Sequence, residues 1–196
     1  MSENNPILPV KDLTVSFNAF AGKVQAVRGV SFDLNKGETL CIVGESGSGK
    51  SVTNKAIMGI LSKNAVIDRG EILYDGMDLT KLTEEQFCQI RGKRIAMVFQ
   101  DPLSALNPIM KVGKQITETL CVHQKLSHEQ AKKRALELMA AVGIPEPEKR
   151  FNQYPFQFSG GMRQRIVIVI ALACNPEILI CDEPTTALDV TIQSKI

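Results

Sequence analysis

The chain has 196 residues, of which 44% are hydrophobic and 22% charged, as in an ordinary globular protein with a sizeable core. A formal net charge of +2 gives no bulk field that would attract nucleic acid, so we predict no nucleic-acid partner. No apolar run reaches transmembrane length, and residues 1–9 lack the apolar core of a signal peptide, so we expect a cytosolic protein. The five cysteines are widely spaced, which argues against a zinc site or a disulfide framework.

Strand patterns open the chain. Apolar residues run in alternating or continuous order over 11–17 and 24–34, and Gly22 lies at the turn between them. This arrangement predicts two antiparallel strands.

A phosphate-binding loop is the most informative segment. It fits the pattern G-x-x-x-x-G-K-[ST] and reads Gly44-Glu45-Ser46-Gly47-Ser48-Gly49-Lys50-Ser51. The apolar run Thr39–Val43 before it predicts a buried strand, and residues 52–61 after it predict a helix. Glycines let backbone N–H groups point at an anion, and the helix N-terminus adds partial positive charge. We expect Lys50 to reach the β- and γ-phosphates and the Ser51 hydroxyl to bind Mg²⁺; the alternative is a flexible turn with a solvated lysine.

The middle of the chain predicts short core elements followed by a helical insert. Residues 70–76 and 94–99 favour strands, residues 82–91 favour a helix, and Gln100 follows the second of these strands. Ser127 and Gln130 fit a capping box, and Gly143 ends the helix that follows. We predict a helical subdomain over about 101–158.

A second glycine-rich turn precedes the next predicted helix. Ser159, Gly160 and Gly161 would form another anion site at a helix N-terminus. One phosphate-loop ATPase site does not need two such turns, whereas a head-to-tail dimer does. The alternative is an ordinary helix that Ser159 caps without any ligand.

Two adjacent carboxylates end the last apolar run, 178–181. Because successive strand residues point to opposite faces, Asp182 and Glu183 cannot do the same job. We expect Asp182 to hold Mg²⁺ and Glu183 to orient or deprotonate the attacking water. Pro184 would end the strand. The alternative is an exposed acidic loop after a core strand.

The order of these motifs resembles the ATP-binding subunits of ABC transporters, and within that family the oligopeptide and dipeptide importer subgroup. The similarity runs from about Val10 to the last residue. The stretches that carry it are Gly44–Ser51, Phe99-Gln100-Asp101-Pro102, Asn107-Pro108, Phe158-Ser159-Gly160-Gly161-Met162-Arg163-Gln164-Arg165 and Asp182-Glu183-Pro184-Thr185-Thr186-Ala187-Leu188-Asp189-Val190.

The resemblance implies an α/β fold: a P-loop NTPase core with an antiparallel β-subdomain and an inserted helical subdomain. It implies ATP and Mg²⁺ as cofactors, with Val52 among the nucleotide-binding residues and Gln100 acting in catalysis and at the metal. Phe17 matches the position that stacks on adenine, although its strand pattern fits a core residue equally well.

The implied partners are two membrane-spanning permease subunits, a second motor subunit, identical or paralogous, in a head-to-tail dimer, and an external substrate-binding protein. The chain would lie peripherally on the cytoplasmic face of the inner membrane. The apolar loop 105–110 would grip a permease helix, or the helices would pack only on their own core. The cargo stays open among dipeptides, oligopeptides, glutathione and nickel.

Two departures from the family pattern matter. Met162 stands where the usual Leu-Ser-Gly-Gly-Gln signature has glutamine, as is familiar in the peptide-importer subgroup. The chain also stops at Ile196, ahead of a histidine that contacts the γ-phosphate in the family, and neither His123 nor His128 can replace it. We therefore expect one truncated ABC domain over 1–196 that lacks its last core strands and hydrolyses ATP weakly or not at all.

Two other functions stay open. The first is a soluble ABC ATPase in DNA repair or on the ribosome, although the interval between loop and signature is too short for a coiled coil and only one cassette is present. The second is a nucleotide-binding fragment without turnover.

Overall fold

A four-stranded antiparallel sheet forms the first of two units. The computed structural model describes residues 5–20 and 22–183, and the boundary between the units falls after Phe87. The strands are β1 (Leu8–Ala19), β2 (Gly22–Leu34), β3 (Ala65–Tyr74) and β4 (Met77–Asp78), in the order β2-β1-β3-β4. The two predicted antiparallel strands are confirmed, and both are longer than the apolar pattern indicated.

Helix α1 (Lys50–Ile57) follows the phosphate loop and ends earlier than predicted. Gly59 has a φ of 62° and donates its N–H to the Ala56 carbonyl, while Ile60 donates to the Lys55 carbonyl. This pair of hydrogen bonds closes a helix at a left-handed glycine. A 3₁₀ turn at Leu79–Lys81 and helix α2 (Glu84–Ile90) follow β4.

The prediction of a buried strand at Thr39–Val43 is wrong. This segment has no strand assignment, belongs to neither sheet of the described residues, and leaves the Val43 side chain 85% exposed. Cys41, within it, is exposed as well. An apolar run predicts burial, but a strand also needs neighbours that accept and donate its ladder hydrogen bonds, and the described residues supply none here.

The second unit is mainly helical and contains one core. Its helices are α3 (Pro102–Ala105), α4 (Val112–Gln124), α5 (His128–Ala141), α6 (Pro147–Arg150) and α7 (Gly160–Leu172), with a 3₁₀ turn at Pro155–Gln157. Helices α4 and α5 bury residues at helical spacing, namely Val112, Ile116, Leu120, Ala131, Ala135 and Met139. The predicted capping box of α5 is present, with Ser127 and Gln130 exchanging hydrogen bonds, and Gly143 follows the helix with a φ of 72°.

A two-stranded parallel sheet completes the second unit. Strands β5 (Ile95–Val98) and β6 (Ile178–Cys181) pair in register, with Val98 opposite Cys181. Parallel strands end at the same sheet edge, which places the residues after β5 beside those after β6. None of the helices within the described ranges is long and apolar enough to cross a membrane.

Candidate functional site

Left-handed glycines shape the phosphate loop in the first unit. Gly47 and Gly49 have φ angles of 81° and 95°, which other residues rarely adopt. A Cβ on Gly49 would lie 2.6 Å from the Ala26 carbonyl oxygen of β2, whereas a Cβ on Gly47 would meet open space. Gly49 therefore brings the start of α1 against the sheet, and Gly47 serves the turn alone.

Lys50 folds back over this loop. Its Nζ atom donates hydrogen bonds to the carbonyl oxygens of Gly44 at 2.6 Å and Glu45 at 2.9 Å. These acceptors are neutral, so they orient the ammonium group without cancelling its charge. The loop holds a positively charged group over its own backbone, and this charge is available to an anion.

The first turn of α1 adds to that positive field. It contains Lys50 and no acidic residue, so nothing in that turn offsets the positive end of the helix dipole. Ser51 and Val52 are half-buried there. The Thr53 hydroxyl is buried and donates to the Gly49 carbonyl at 3.1 Å, which ties the turn to the loop.

In the second unit, Gln100 and Glu183 meet at the edge of the parallel sheet. Each residue lies two positions after the matched pair Val98 and Cys181. The Gln100 Nε2 atom donates a hydrogen bond of 2.6 Å to the Glu183 Oε2 atom. The strand register therefore joins two of the predicted catalytic residues.

Asp182 and Glu183 occupy different environments, as the alternation of a strand predicts. Asp182 is only 7% exposed and donates its backbone N–H to the Val98 carbonyl oxygen at 3.0 Å. Glu183 is exposed and has a φ of 49°, so the chain turns away from the ladder at that residue. The predictions for Pro184 and for Thr185–Val190 lie outside the described residues.

The Ser-Gly-Gly turn, residues 159–161, begins helix α7. The Ser159 Oγ atom accepts a hydrogen bond from the Met162 N–H at 3.3 Å, as a helix cap does. A Cβ on Gly160 would meet nothing within 4 Å, so this side of the turn is open. The cap is observed, and a ligand at the turn stays a prediction.

Two arginines to which the sequence analysis gave no role hold the start of α7 in place. Arg165 donates to the carbonyl oxygens of Gly143 at 2.6 Å and Val142 at 3.3 Å, at the C-terminal end of α5. Arg163 donates to the Pro155 carbonyl oxygen at 2.8 Å. A cation at a helix C-terminus is favourable, and here Arg165 ties the start of α7 to the end of α5. The sequence signal for these contacts is limited to the presence of basic residues just after the Ser-Gly-Gly turn.

Phe17 lies half-buried in β1, with Val24 of β2 and Ala65 of β3 as its partners in the sheet. This partial burial is compatible with both interpretations of Phe17, as a ring that stacks on adenine and as a strand residue packed on the core.

The predicted docking loop, residues 105–110, is only partly a surface. Ile109 is 84% exposed, whereas Leu106 is 3% exposed and belongs to the core of the second unit. The expectation that Leu106 is presented for docking is therefore wrong. Between these two residues, the Asn107 backbone N–H donates to the Gln115 Oε1 atom and the Asn107 carbonyl accepts from the Gln115 Nε2 atom, and the chain from Asn107 to Ile109 is exposed.

Comparisons with known proteins agree with this arrangement. The family described as ABC transporter matches residues 27–186. The chain is 63% identical over 191 residues to the oligopeptide transport ATP-binding protein OppD of Bacillus subtilis, covering 97% of this chain and 53% of that protein. It is 61% identical to the dipeptide transport ATP-binding protein DppD of Lactococcus lactis subsp. cremoris, covering 97% of this chain and 55% of that protein.

The solved structures give the same fold. A dimeric, post-hydrolysis structure of the ATP-binding cassette MJ0796 bound to ADP and Pi matches with a TM-score of 0.86 at 31% identity, covering 96% of this chain and 79% of that one. The predicted α/β fold is confirmed. The chain spans about half the length of the curated relatives it matches. By the family match over residues 27–186, the chain belongs to the ABC transporter family.

Proposed function

We propose that this chain is the nucleotide-binding part of an ATP-hydrolysing motor subunit of a peptide importer. The observation that carries the proposal is the phosphate loop, in which Lys50 keeps an uncancelled charge at the positive end of α1. The relatives named as oligopeptide and dipeptide transport ATP-binding proteins support the substrate class.

The phosphate groups of ATP would bind to the loop Gly44–Ser51 and to the first turn of α1, including Val52. Lys50 would exchange its two carbonyl acceptors for phosphate oxygens, which form stronger, charge-assisted hydrogen bonds. Phe17 would stack on the adenine ring with the accessible part of its side chain. The structurally similar cassette MJ0796, whose structure contains ADP and Pi, supports a nucleotide as the ligand.

Glu183 would act as the general base of hydrolysis. It is exposed and accepts a hydrogen bond from Gln100, so its carboxylate is held at the edge of the parallel sheet. Gln100 would orient the same water with its side-chain amide.

The hydroxyl of Ser51, the carboxylate of Asp182 and the amide oxygen of Gln100 would hold Mg²⁺. Hydroxyl, carboxylate and amide oxygens are the donors that this hard cation prefers, so the residues fit the group. When bound, Mg²⁺ neutralises charge that develops on the phosphates.

A second motor subunit would complete each site. Ser159, Gly160 and Gly161 of one chain would contact the nucleotide of the other in a head-to-tail dimer. The open side of Gly160 supports this role, and so does the dimeric form of the neighbouring cassette.

Two membrane-spanning permease subunits would bind the exposed part of loop 105–110, with Ile109 at its centre. Through them the motor would act on cargo that an external substrate-binding protein delivers. Such a motor would lie on the cytoplasmic face of the inner membrane.

The test is ATP-driven uptake of a labelled peptide by vesicles that contain the permease subunits and the longer motor protein bearing this sequence. We expect uptake with the native sequence, none with Lys50→Ala, and full uptake with the control Lys55→Ala, because Lys55 is exposed at the far end of α1. ATP binding without phosphate release or uptake would instead identify a nucleotide-binding protein without turnover.

A further inference from the structure

We propose that a second anion site lies in the helical unit and takes a small phosphate-bearing ligand. It is a cavity of about 290 Å³, called here the cationic groove. The residues that line it are Lys111, Lys114, Thr117, His128, Lys132, Phe151 and Asn152. None of them belongs to the phosphate loop, the acidic sheet edge or the Ser-Gly-Gly turn.

The groove concentrates positive charge without a counterion. Its lining has three lysines and a histidine but no carboxylate. Some cations elsewhere in the same unit do have partners: Arg134 pairs with Glu137 at 3.4 Å and Lys149 with Glu146 at 3.6 Å. Across the described ranges, no carboxylate lies within ion-pair distance of the three groove lysines.

The sequence places carboxylates where two of these lysines could form ion pairs. Glu118 lies four residues after Lys114, and Glu129 lies three residues before Lys132, and both spacings allow an ion pair on a helix. Neither pair forms among the residues that the structure describes. The lysine charges are therefore left to solvent or to a ligand.

Two of the lysines also stand at the unfavourable end of their helix. Lys111 is the N-cap of α4, Lys114 lies in its first turn, and that turn has no acidic residue. Positive charge at a helix N-terminus opposes the helix dipole, so this placement is unfavourable until an anion arrives. A bound phosphate would relieve both the repulsion among the lysines and the opposition of the α4 dipole.

Side chains rather than the helix end supply the donors. The N–H groups of Val112 and Gly113 are already bonded to the carbonyl oxygens of Gln153 and Phe151, both at 2.9 Å. Lysine ammonium groups are strong donors to phosphate oxygens and accept nothing themselves, so the groove selects anions.

Phe151 gives the groove a fixed wall. A Cβ on Gly113 would lie 2.4 Å from the Phe151 ring, so the ring is packed directly against that glycine. The Lys132 ammonium lies 5.8 Å from the ring centroid, which holds it near the cavity. The volume is at the small end for ligand pockets, which favours a di- or triphosphate group over a large cofactor.

The experiment is a titration of the 196-residue chain with pyrophosphate, followed by backbone amide NMR shifts at Gly113 and His128. The Lys50→Ala background removes competition from the phosphate loop. We expect saturable shifts on addition of pyrophosphate. Combining Lys114→Gln with Lys132→Gln should lower the affinity for pyrophosphate by about tenfold or more, because two charge-assisted hydrogen bonds are lost. Lys133→Gln is the matched control, because this exposed lysine of α5 does not line the groove.

Absence of saturable shifts at Gly113 and His128 would overturn the proposal. So would an equal loss of affinity in the Lys133→Gln control, because it would mean diffuse attraction to surface charge. Binding of a glutamate-rich peptide but not of pyrophosphate would also overturn the ligand class. If the double variant changes shifts throughout the chain, Lys114→Gln alone serves as the second variant.

Discussion

The Gln100 side-chain amide donates a 2.6 Å hydrogen bond to the Glu183 carboxylate, although the two residues are 83 positions apart. The cause is the register of β5 and β6, which sets Val98 opposite Cys181 and lets both chains leave the sheet together. The contact unites the residue proposed to orient the attacking water with the residue proposed to activate it.

Glu183→Gln should keep ATP affinity and lower turnover by about two orders of magnitude, the scale of a lost general base. The amide fills the same space but cannot take a proton. Phosphate release by the longer motor protein measures turnover, and a filter-binding assay measures affinity. Glu177→Gln is the control, since Glu177 is exposed before β6 and pairs with Arg94 rather than with Gln100. Normal turnover in Glu183→Gln would place the base elsewhere.

The meeting of Gln100 and Glu183 could be predicted in principle, because both follow short apolar runs that suit parallel strands. The helix caps at Ser127 and Ser159 could also be predicted, since each depends on residues within three positions of one another. Such caps depend on hydrogen bonds between residues that are close in the sequence, so the residue types at those positions are enough to predict them.

Features that depend on distant partners were not predictable in the same way. Thr39–Val43 has the composition of a buried strand, yet in the described part of the chain it finds no ladder partner. Leu106 and Ile109 look alike in an apolar loop, but Leu106 packs into the core of the second unit while Ile109 is exposed, and the pattern of the loop does not distinguish them. The unpaired lysines of the cationic groove are another case, because sequence spacing offers them carboxylates that they do not contact.

Lys50→Ala should weaken Mg·ATP binding at least tenfold, or about 1.4 kcal/mol, because it removes a charge-assisted contact to phosphate. It also frees the carbonyl oxygens of Gly44 and Glu45, which are exposed and can bond to water instead. The fold should therefore persist, as judged by circular dichroism. Isothermal titration with ATP makes the measurement, with Lys55→Ala as the control. Equal affinity in the two variants would contradict the assignment of Lys50.

Two glycine-to-alanine changes should differ in their effects on stability. Gly113→Ala forces a methyl group to within 2.4 Å of the packed Phe151 ring and should cost about 1–3 kcal/mol through overpacking. Gly160→Ala meets open space at the start of α7 and should be neutral or slightly stabilising. Urea unfolding of both variants gives the comparison. Equal stability would mean that Phe151 moves aside without cost.

The stability of the chain should fall in acid partly through His123. Burial and the nearby Lys93 charge lower the pKa of His123 below its ordinary value of 6.5. The unfolded chain then binds the proton first, so stability is present above about pH 6.5 and is lost as the pH falls toward the lower, folded pKa. His123→Gln should therefore reduce the drop in Tm between about pH 7.5 and 5.5. An unchanged drop in His123→Gln would remove this residue as a cause.

Two aspartate substitutions in loop 105–110 separate docking from folding. Ile109→Asp changes an exposed side chain, so the chain should fold and bind Mg·ATP as before. In contact with a permease subunit, however, the new carboxylate would lose water without a partner, and that loss costs several kcal/mol by rough estimate. We therefore expect the motor to stop co-purifying with the permease subunits and peptide uptake to cease.

Leu106→Asp should instead destabilise the fold of the motor itself, before any permease subunit is involved. It buries a carboxylate among Val112, Phe158 and the rest of the helical core, so the second unit should unfold at a lower temperature even without a partner. Co-purification, nucleotide binding and thermal unfolding of both variants together make the test. If Ile109→Asp assembles and transports normally, the permease contact lies outside this loop. If Leu106→Asp keeps its thermal stability, the burial of that side chain does not hold the core together.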